Sequence, residues 1–138
     1  QFQTHVVAKE EKQLKERAMF LLESVGLEKK ANDYAGGLSG GHRKLLEMGR
    51  ALMTNPKLIL LDGPAAGVNP RLIDDICDRI LKWNREEGLT FLIIEHNMDV
   101  IMSLCDRVWV LAEGQNLAVG TPTEIQSNAQ VLEAYLGQ

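Results

Sequence analysis

The chain has 138 residues, enough for one domain with a real core or for part of a larger one. Apolar residues make up 45% and charged residues 25%, an ordinary balance for a folded globular chain, which argues against disorder. The net charge of −4 comes without any basic run, so non-specific nucleic-acid binding is not expected.

No apolar stretch approaches the roughly 18 residues of a membrane span, and no secretory signal pattern is present. The sequence starts Gln1-Phe2 without a Met, the start expected of a segment or a processed product. Cys77 and Cys105 are far apart and each falls in an apolar helical pattern. They are expected to be buried free thiols in a reducing cytosol rather than a disulfide.

Residues 1–8 have no periodicity and read as coil. A helix is predicted from Lys9 to Val25, with Leu14, Ala18, Leu21, Leu22 and Val25 on one face and Gly26 as a left-handed cap. Leu27 to Gly37 reads as a polar linker anchored by Tyr34. Ser39-Gly40-Gly41 then makes a helix N-cap followed by glycines that allow close backbone approach. Leu45, Met48 and Leu52 give this helix one buried stripe, and Asn55-Pro56 stops it. Leu58 to Leu61 is apolar at every position, the pattern of a parallel strand covered on both faces, and it ends on Asp62.

The loop from Gly63 to Asn69 is rich in small residues, and Asn69-Pro70 is a strong helix start. That helix runs to about Glu87, burying Ile73, Ile76, Ile80 and Trp83, and stops at Gly88. Leu89 to Ile94 reads as a second buried strand leading into Glu95-His96. Asn97 caps a short helix carrying Met98, Ile101 and Leu104. Arg107 to Leu111 and Asn116 to Val119 read as a hairpin turning at Glu113-Gly114-Gln115. Thr121-Pro122-Thr123-Glu124 is a capping box, and a last helix spans Ala129 to Leu136. Strands alternating with helices predict an α/β fold with a parallel core.

LSGG at Leu38 to Gly41, a helix, and then an apolar strand ending LLD at Asp62 together resemble the ATP-binding cassette (ABC) transporter ATPases. The GVNP loop, the EHNM turn and the ending AVGTPTEI…VLEAYLG look most like the branched-chain amino-acid uptake members. The resemblance implies a partial P-loop ATPase fold whose parallel sheet lacks the phosphate-loop strand. Residues 1–55 would be part of the helical subdomain ending in the signature helix, and 56–138 the C-terminal part of the ATPase core. It also implies roles for individual residues. Leu38, Ser39, Gly40, Gly41 and His42 match the nucleotide-contacting signature, with His42 where Gln is usual. Asp62 matches the Walker B aspartate that helps hold Mg²⁺. Ala66, Gly67, Val68 and Asn69 match the D-loop, and His96 matches the switch histidine that senses the γ-phosphate. ATP and Mg²⁺ are the implied cofactors. A membrane permease and a second ATPase subunit are the implied partners, in a cytoplasmic setting peripheral to the inner membrane.

Two departures set the expectations for this chain alone. Gly63 stands where the catalytic Glu would follow the Walker B Asp, and glycine has no group to accept or orient a proton. Glu95 is a weak substitute, best read as a solvated or helix-flanking charge. The G-x-x-x-x-G-K-[ST] phosphate loop is absent, since no Gly-Lys pair occurs in the chain. The chain alone is therefore expected to bind neither ATP nor Mg²⁺ and to be inactive. Three readings stand: an ATPase part that works only with a phosphate-loop half, a silent module pairing with an intact ATPase subunit, and a folded remnant. Without the phosphate-loop strand, the strands at Leu89 and Val108 would have open edges. The chain is then expected either to pair the Arg107 strand with the His96 strand or, preferably, to form a homo-oligomer or strand-swapped dimer.

Overall fold

The computed structural model describes residues 2–136, with side chains from residue 6 onward, so the coil reading at Gln1 lies outside the described residues. It forms two compact units, Gln1–Ile94 and Glu95–Gln138. The first holds α1 (Phe2–Ser24), α2 (Gly40–Leu52), β1 (Leu58–Asp62), α3 (Pro70–Glu87) and β2 (Thr90–Ile94). The second holds α4 (Met98–Leu104), β3 (Val108–Ala112), β4 (Gln115–Gly120), α5 (Pro122–Gln126) and α6 (Ala129–Leu136).

α1 begins at Phe2, not near Lys9 as expected. The described side chains of its N-terminal half, Val6 and Val7 among them, are exposed, as is Leu14 further on, so no buried face marks the helix there. No Gly or Pro occurs before Gly26 to interrupt the helix there. Only the C-terminal end of the predicted stripe, Leu21 and Val25, is buried. There the chain turns through Gly26 at φ +70°. The Leu27 amide donates to Leu22 O and the Gly26 amide to Glu23 O, a Schellman ending that satisfies two orphan carbonyls. Leu27 is buried, whereas Tyr34, expected to anchor the linker, is 88% exposed. The linker is held instead by Leu27 and by 3₁₀ turns at Glu28–Lys30 and Ala35–Gly37.

α2 follows its pattern, with Leu45, Met48 and Leu52 buried. Gly49 lets Val25, just past the end of α1, close on it, since an added Cβ would lie 3.7 Å from both Val25 methyls. Each such buried side chain contributes about 1.5–3 kcal/mol. Two arginines finish the helix ends. Arg17 Nη2 donates to Leu52 O at 3.0 Å, and Arg79 Nη1 donates to Ser24 O while its Nε and Nη2 hold Asp75. α3 is capped by Asn69 with Pro70 at its first position, ends at Gly88 in the left-handed region, and buries Ile76, Cys77, Ile80 and Trp83. Trp83 stacks on Phe91 of β2 at 6.5 Å between centroids.

β1 and β2 pair in parallel, with Leu60 beside Leu92 and Asp62 beside Ile94. Burial alternates along both strands. Ile59 is buried on one face, whereas Leu58, Leu60, Leu92 and Ile94 are each more than half exposed on the other. The expectation of strands covered on both faces is thus corrected: this chain covers one. Among the described residues β2 pairs with β1 alone, and β3 with β4 alone.

In the second unit β3 and β4 form the predicted antiparallel hairpin. Glu113 and Gly114 both have positive φ, the two-residue turn whose twist suits a tight hairpin. Thr121 caps α5 with the full capping box. The Thr121 N–H, at 2.8 Å, and then its hydroxyl hold the Glu124 carboxyl below its ordinary pKa. Ile125 and Val131 are buried beneath. Neither cysteine is in a disulfide; Cys77 is buried as expected but Cys105 only half-buried, and burial, with Asp106 beside it, raises the Cys105 thiol's pKa.

One close contact is critical for α2. A Cβ on Gly41 would overlap Leu72 Cδ2 and lie 3.2 Å from Val68 Cγ1. Gly41→Ala is expected to destabilise the chain by about 1 kcal/mol, the low end of overpacking costs, because Leu72 can swing its terminal methyl. Urea unfolding of the two proteins checks this, and unchanged midpoints would refute the packing argument.

Candidate functional site

The signature residues form the turn into α2. Leu38 is half-buried at the end of the 3₁₀ turn, and Ser39 is extended at φ −62°, ψ 160°. Ser39 Oγ accepts from the His42 amide at 3.3 Å and lies 2.8 Å from His42 Nδ1. His42 thus takes the signature serine as its own hydrogen-bond partner. Ser39 and Gly40 are exposed; Gly41 is buried against Val68 and Leu72. The turn is therefore open to another molecule at its first two positions and closed at the third.

Beside it runs the loop after β1. An added Cβ on Gly40 would meet Gly67 O at 4.0 Å, so the signature turn and the D-loop-like segment are neighbours. Ala66 and Gly67 are exposed, Val68 is half-buried, and Asn69 Oδ1 accepts from Leu72 N at 3.0 Å to start α3. Asp62 is exposed at the end of β1. The Gly63 amide donates to Ile94 O at 2.8 Å, prolonging the ladder by one bond. Lys44 Nζ, from the second turn of α2, donates to Gly63 O. Lys44 was not singled out from the sequence. A lysine on an amphipathic helix reads as a solvated charge, and nothing local says which carbonyl it reaches.

Gly63 has φ +55°. A residue with a Cβ is disfavoured there by roughly 1–2 kcal/mol, so this backbone is shaped for glycine as well as lacking a carboxylate. Among the described residues no His, Cys, Asp and Glu group could hold a metal ion, and Asp62 by itself is one ligand.

Glu95 and His96 belong to the second unit. The His96 side chain is 91% exposed and the Glu95 side chain 1% exposed. Of the two expected readings, solvated or helix-flanking, the second holds, and the Glu95 carboxylate is not presented to solvent. It is a helix-flanking acceptor, taking hydrogen bonds from the amides of His96 and Asn97. Asn97 Oδ1 in turn accepts from Asp99 and Val100 to cap α4.

Comparison with known proteins accords with these motifs. Residues 1–66 match the ABC transporter family model, and residues 115–138 match that of the branched-chain amino acid ATP-binding cassette transporter. The chain is 42% identical over 137 residues to the high-affinity branched-chain amino acid transport ATP-binding protein BraF of Pseudomonas aeruginosa, covering 99% of this chain and 54% of that protein. It is also 42% identical over 132 residues to a probable branched-chain amino acid transport ATP-binding protein of Methanocaldococcus jannaschii, covering 93% and 51%. In structure it resembles the ADP conformation of an ATP-binding cassette of an ABC transporter, with a TM-score of 0.83 at 42% identity over 91% of this chain and 51% of that one. The chain spans about half the length of the curated relatives it matches. With its α/β fold a partial P-loop ATPase fold and its two ends matched by these models, the chain is similar to the ABC transporter ATPases in both sequence and structure.

Proposed function

We propose that the chain supplies the signature, Walker B, D-loop and switch elements of an ATP-binding subunit that powers branched-chain amino-acid uptake. In this reading it works only together with a phosphate-loop polypeptide. The observation that carries the proposal is the packing of the signature turn on the loop after β1, through Gly41 on Val68 and Leu72 and through Lys44 on Gly63. Residues 1–55 act as part of the helical subdomain and 56–138 as part of the core. Ser39 and Gly40 offer donors to the γ-phosphate of a nucleotide held by another subunit, where backbone amides and the helix dipole favour an anion. Asp62 contributes to Mg²⁺ once phosphate oxygens supply the other ligands. His96, exposed at the head of α4, senses the γ-phosphate. A membrane permease and a second ATPase subunit are the partners, at the cytoplasmic face of the inner membrane.

A second reading is a catalytically silent module that lends its signature to an intact ATPase subunit. It is favoured by one pair of facts: Ser39 and Gly40 are open while position 63 carries no carboxylate. A composite nucleotide site needs only the signature from one side, so this role requires no phosphate loop within residues 1–138.

Titration calorimetry with Mg-ATP separates these roles from autonomous activity. The chain alone is expected to show no micromolar binding and no turnover above a buffer blank. Binding should emerge on adding the half of the Pseudomonas relative that has no counterpart here. Micromolar affinity without that half overturns the proposal.

Ser39→Ala is expected to cost about 1 kcal/mol of stability, the usual worth of a cap, while weakening ATP-dependent pairing with the intact Pseudomonas relative. Equal pairing by the variant and the parent would rule out the signature role.

The open face at Leu58, Leu60, Leu92 and Ile94 is expected to make the isolated chain self-associate at micromolar concentration. Sedimentation velocity reads this, with Leu60→Lys shifting the population toward monomer. A parent that stays monomeric contradicts the expectation.

A further inference from the structure

The Glu95 carboxylate is a buried acid for which the roles above have no use. Its side chain is 1% exposed, yet it directly precedes the most solvent-facing histidine of the site, His96 at 91%. One oxygen, Oε2, accepts from the His96 amide at 3.1 Å and from the Asn97 amide at 3.3 Å. The same oxygen lies 4.0 Å from His96 Nδ1. Beyond it Asn97 Oδ1 accepts from the amides of Asp99 at 3.1 Å and Val100 at 3.4 Å.

We infer that Glu95 is a positioning residue for His96. Its inward carboxylate folds the backbone of residues 95–97 around one oxygen and so directs the imidazole outward. The inference rests on the reading of His96 as the switch residue.

The chemistry explains the residue type. The backbone leaving β2 would otherwise have amide donors at His96 and Asn97 before Asn97 starts α4, and a carboxylate is acceptor-only, so a single oxygen can serve both. A glutamine could keep that oxygen but would place an NH₂ in the buried position of the other. An alanine removes the acceptor altogether. The imidazole also sits close enough to the carboxylate to feel its charge, which glutamine lacks. Glu95 thus acts on His96 in two separable ways: its oxygen fixes the backbone, and its charge stands beside the ring.

Amide hydrogen exchange and ring-proton spectra of the chain alone test this without any nucleotide. In Glu95→Ala the His96 and Asn97 amides are expected to exchange about ten-fold faster than in the parent, while β1–β2 amides keep their rates. Glu95→Gln should restore protection to within about three-fold of the parent. The His96 ring-proton shifts should nonetheless move in both variants, because both lose the charge. A purely structural role would not separate ring from amide in this way. Parent-like exchange at His96 and Asn97 in Glu95→Ala overturns the inference. Should Glu95→Ala unfold, a folded Glu95→Gln with His96 ring shifts identical to the parent overturns it as well. Failure of the phosphate-sensing role would instead appear only in nucleotide binding with the added phosphate-loop half, leaving these spectra unchanged.

Discussion

The turn that follows β1 is gripped from both sides, and the arrangement of the first unit's motifs depends on it. On one side the Gly63 amide extends the parallel ladder to Ile94 O; on the other Lys44 of α2 donates to the Gly63 carbonyl. The two bonds use both backbone groups of a single residue, and φ +55° at that residue is what aims them apart. Because Lys44 sits four positions after Gly40, the same bond holds the start of α2 beside the loop that leads to α3. Gly41 then lets α2 settle on Val68 and Leu72. Signature turn and D-loop-like segment are neighbours because a lysine, a glycine with positive φ and a glycine without a Cβ all agree.

A second constraint is the one-sided covering of the sheet. Ile59 and the half-buried Phe91 and Ile93 face the helices, with Trp83 stacked on Phe91. Leu58, Leu60, Leu92 and Ile94 form a continuous apolar surface on the opposite face. The hairpin of the second unit repeats the pattern in miniature, with Trp109 and Leu111 exposed and Arg107 over the Trp109 ring at 5.4 Å. Strands apolar on both faces are the composition of a sheet meant to be covered twice.

Helix ends carry a large share of the specific polar bonding. Ser39, Asn69, Asn97 and Thr121 each cap a helix start with a side-chain oxygen. Arg17 and Arg79 reach long distances in sequence to the last carbonyls of α2 and α1. Glu95 belongs with this group, its carboxylate bonding amides ahead of a cap. In every case a polar side chain satisfies donors or acceptors that the backbone at a helix end leaves open.

Local signals were legible wherever the chemistry is confined to neighbouring residues. Ser39, Asn69-Pro70, Gly88, Asn97 and the Thr121 capping box announced their helices, and the apolar stripes of α2 and α3 announced their buried faces. The LSGG turn and the LLD strand end marked the candidate site, and the missing Gly-Lys pair and the Gly at 63 marked its departures. What the sequence could not decide were matters of distance and direction. The described side chains in the N-terminal half of α1 are exposed, so no apolar stripe marks the helix there. Tyr34 is exposed and Leu27 buried because packing against α2, not residue size, selects the anchor. Lys44 reaches Gly63, and Glu95 turns inward, because tertiary structure brings a carbonyl or an amide to meet them. The open face of β1 and β2 has the same cause: an alternating strand declares which residues share a face, but only the assembled fold determines whether anything lies upon it.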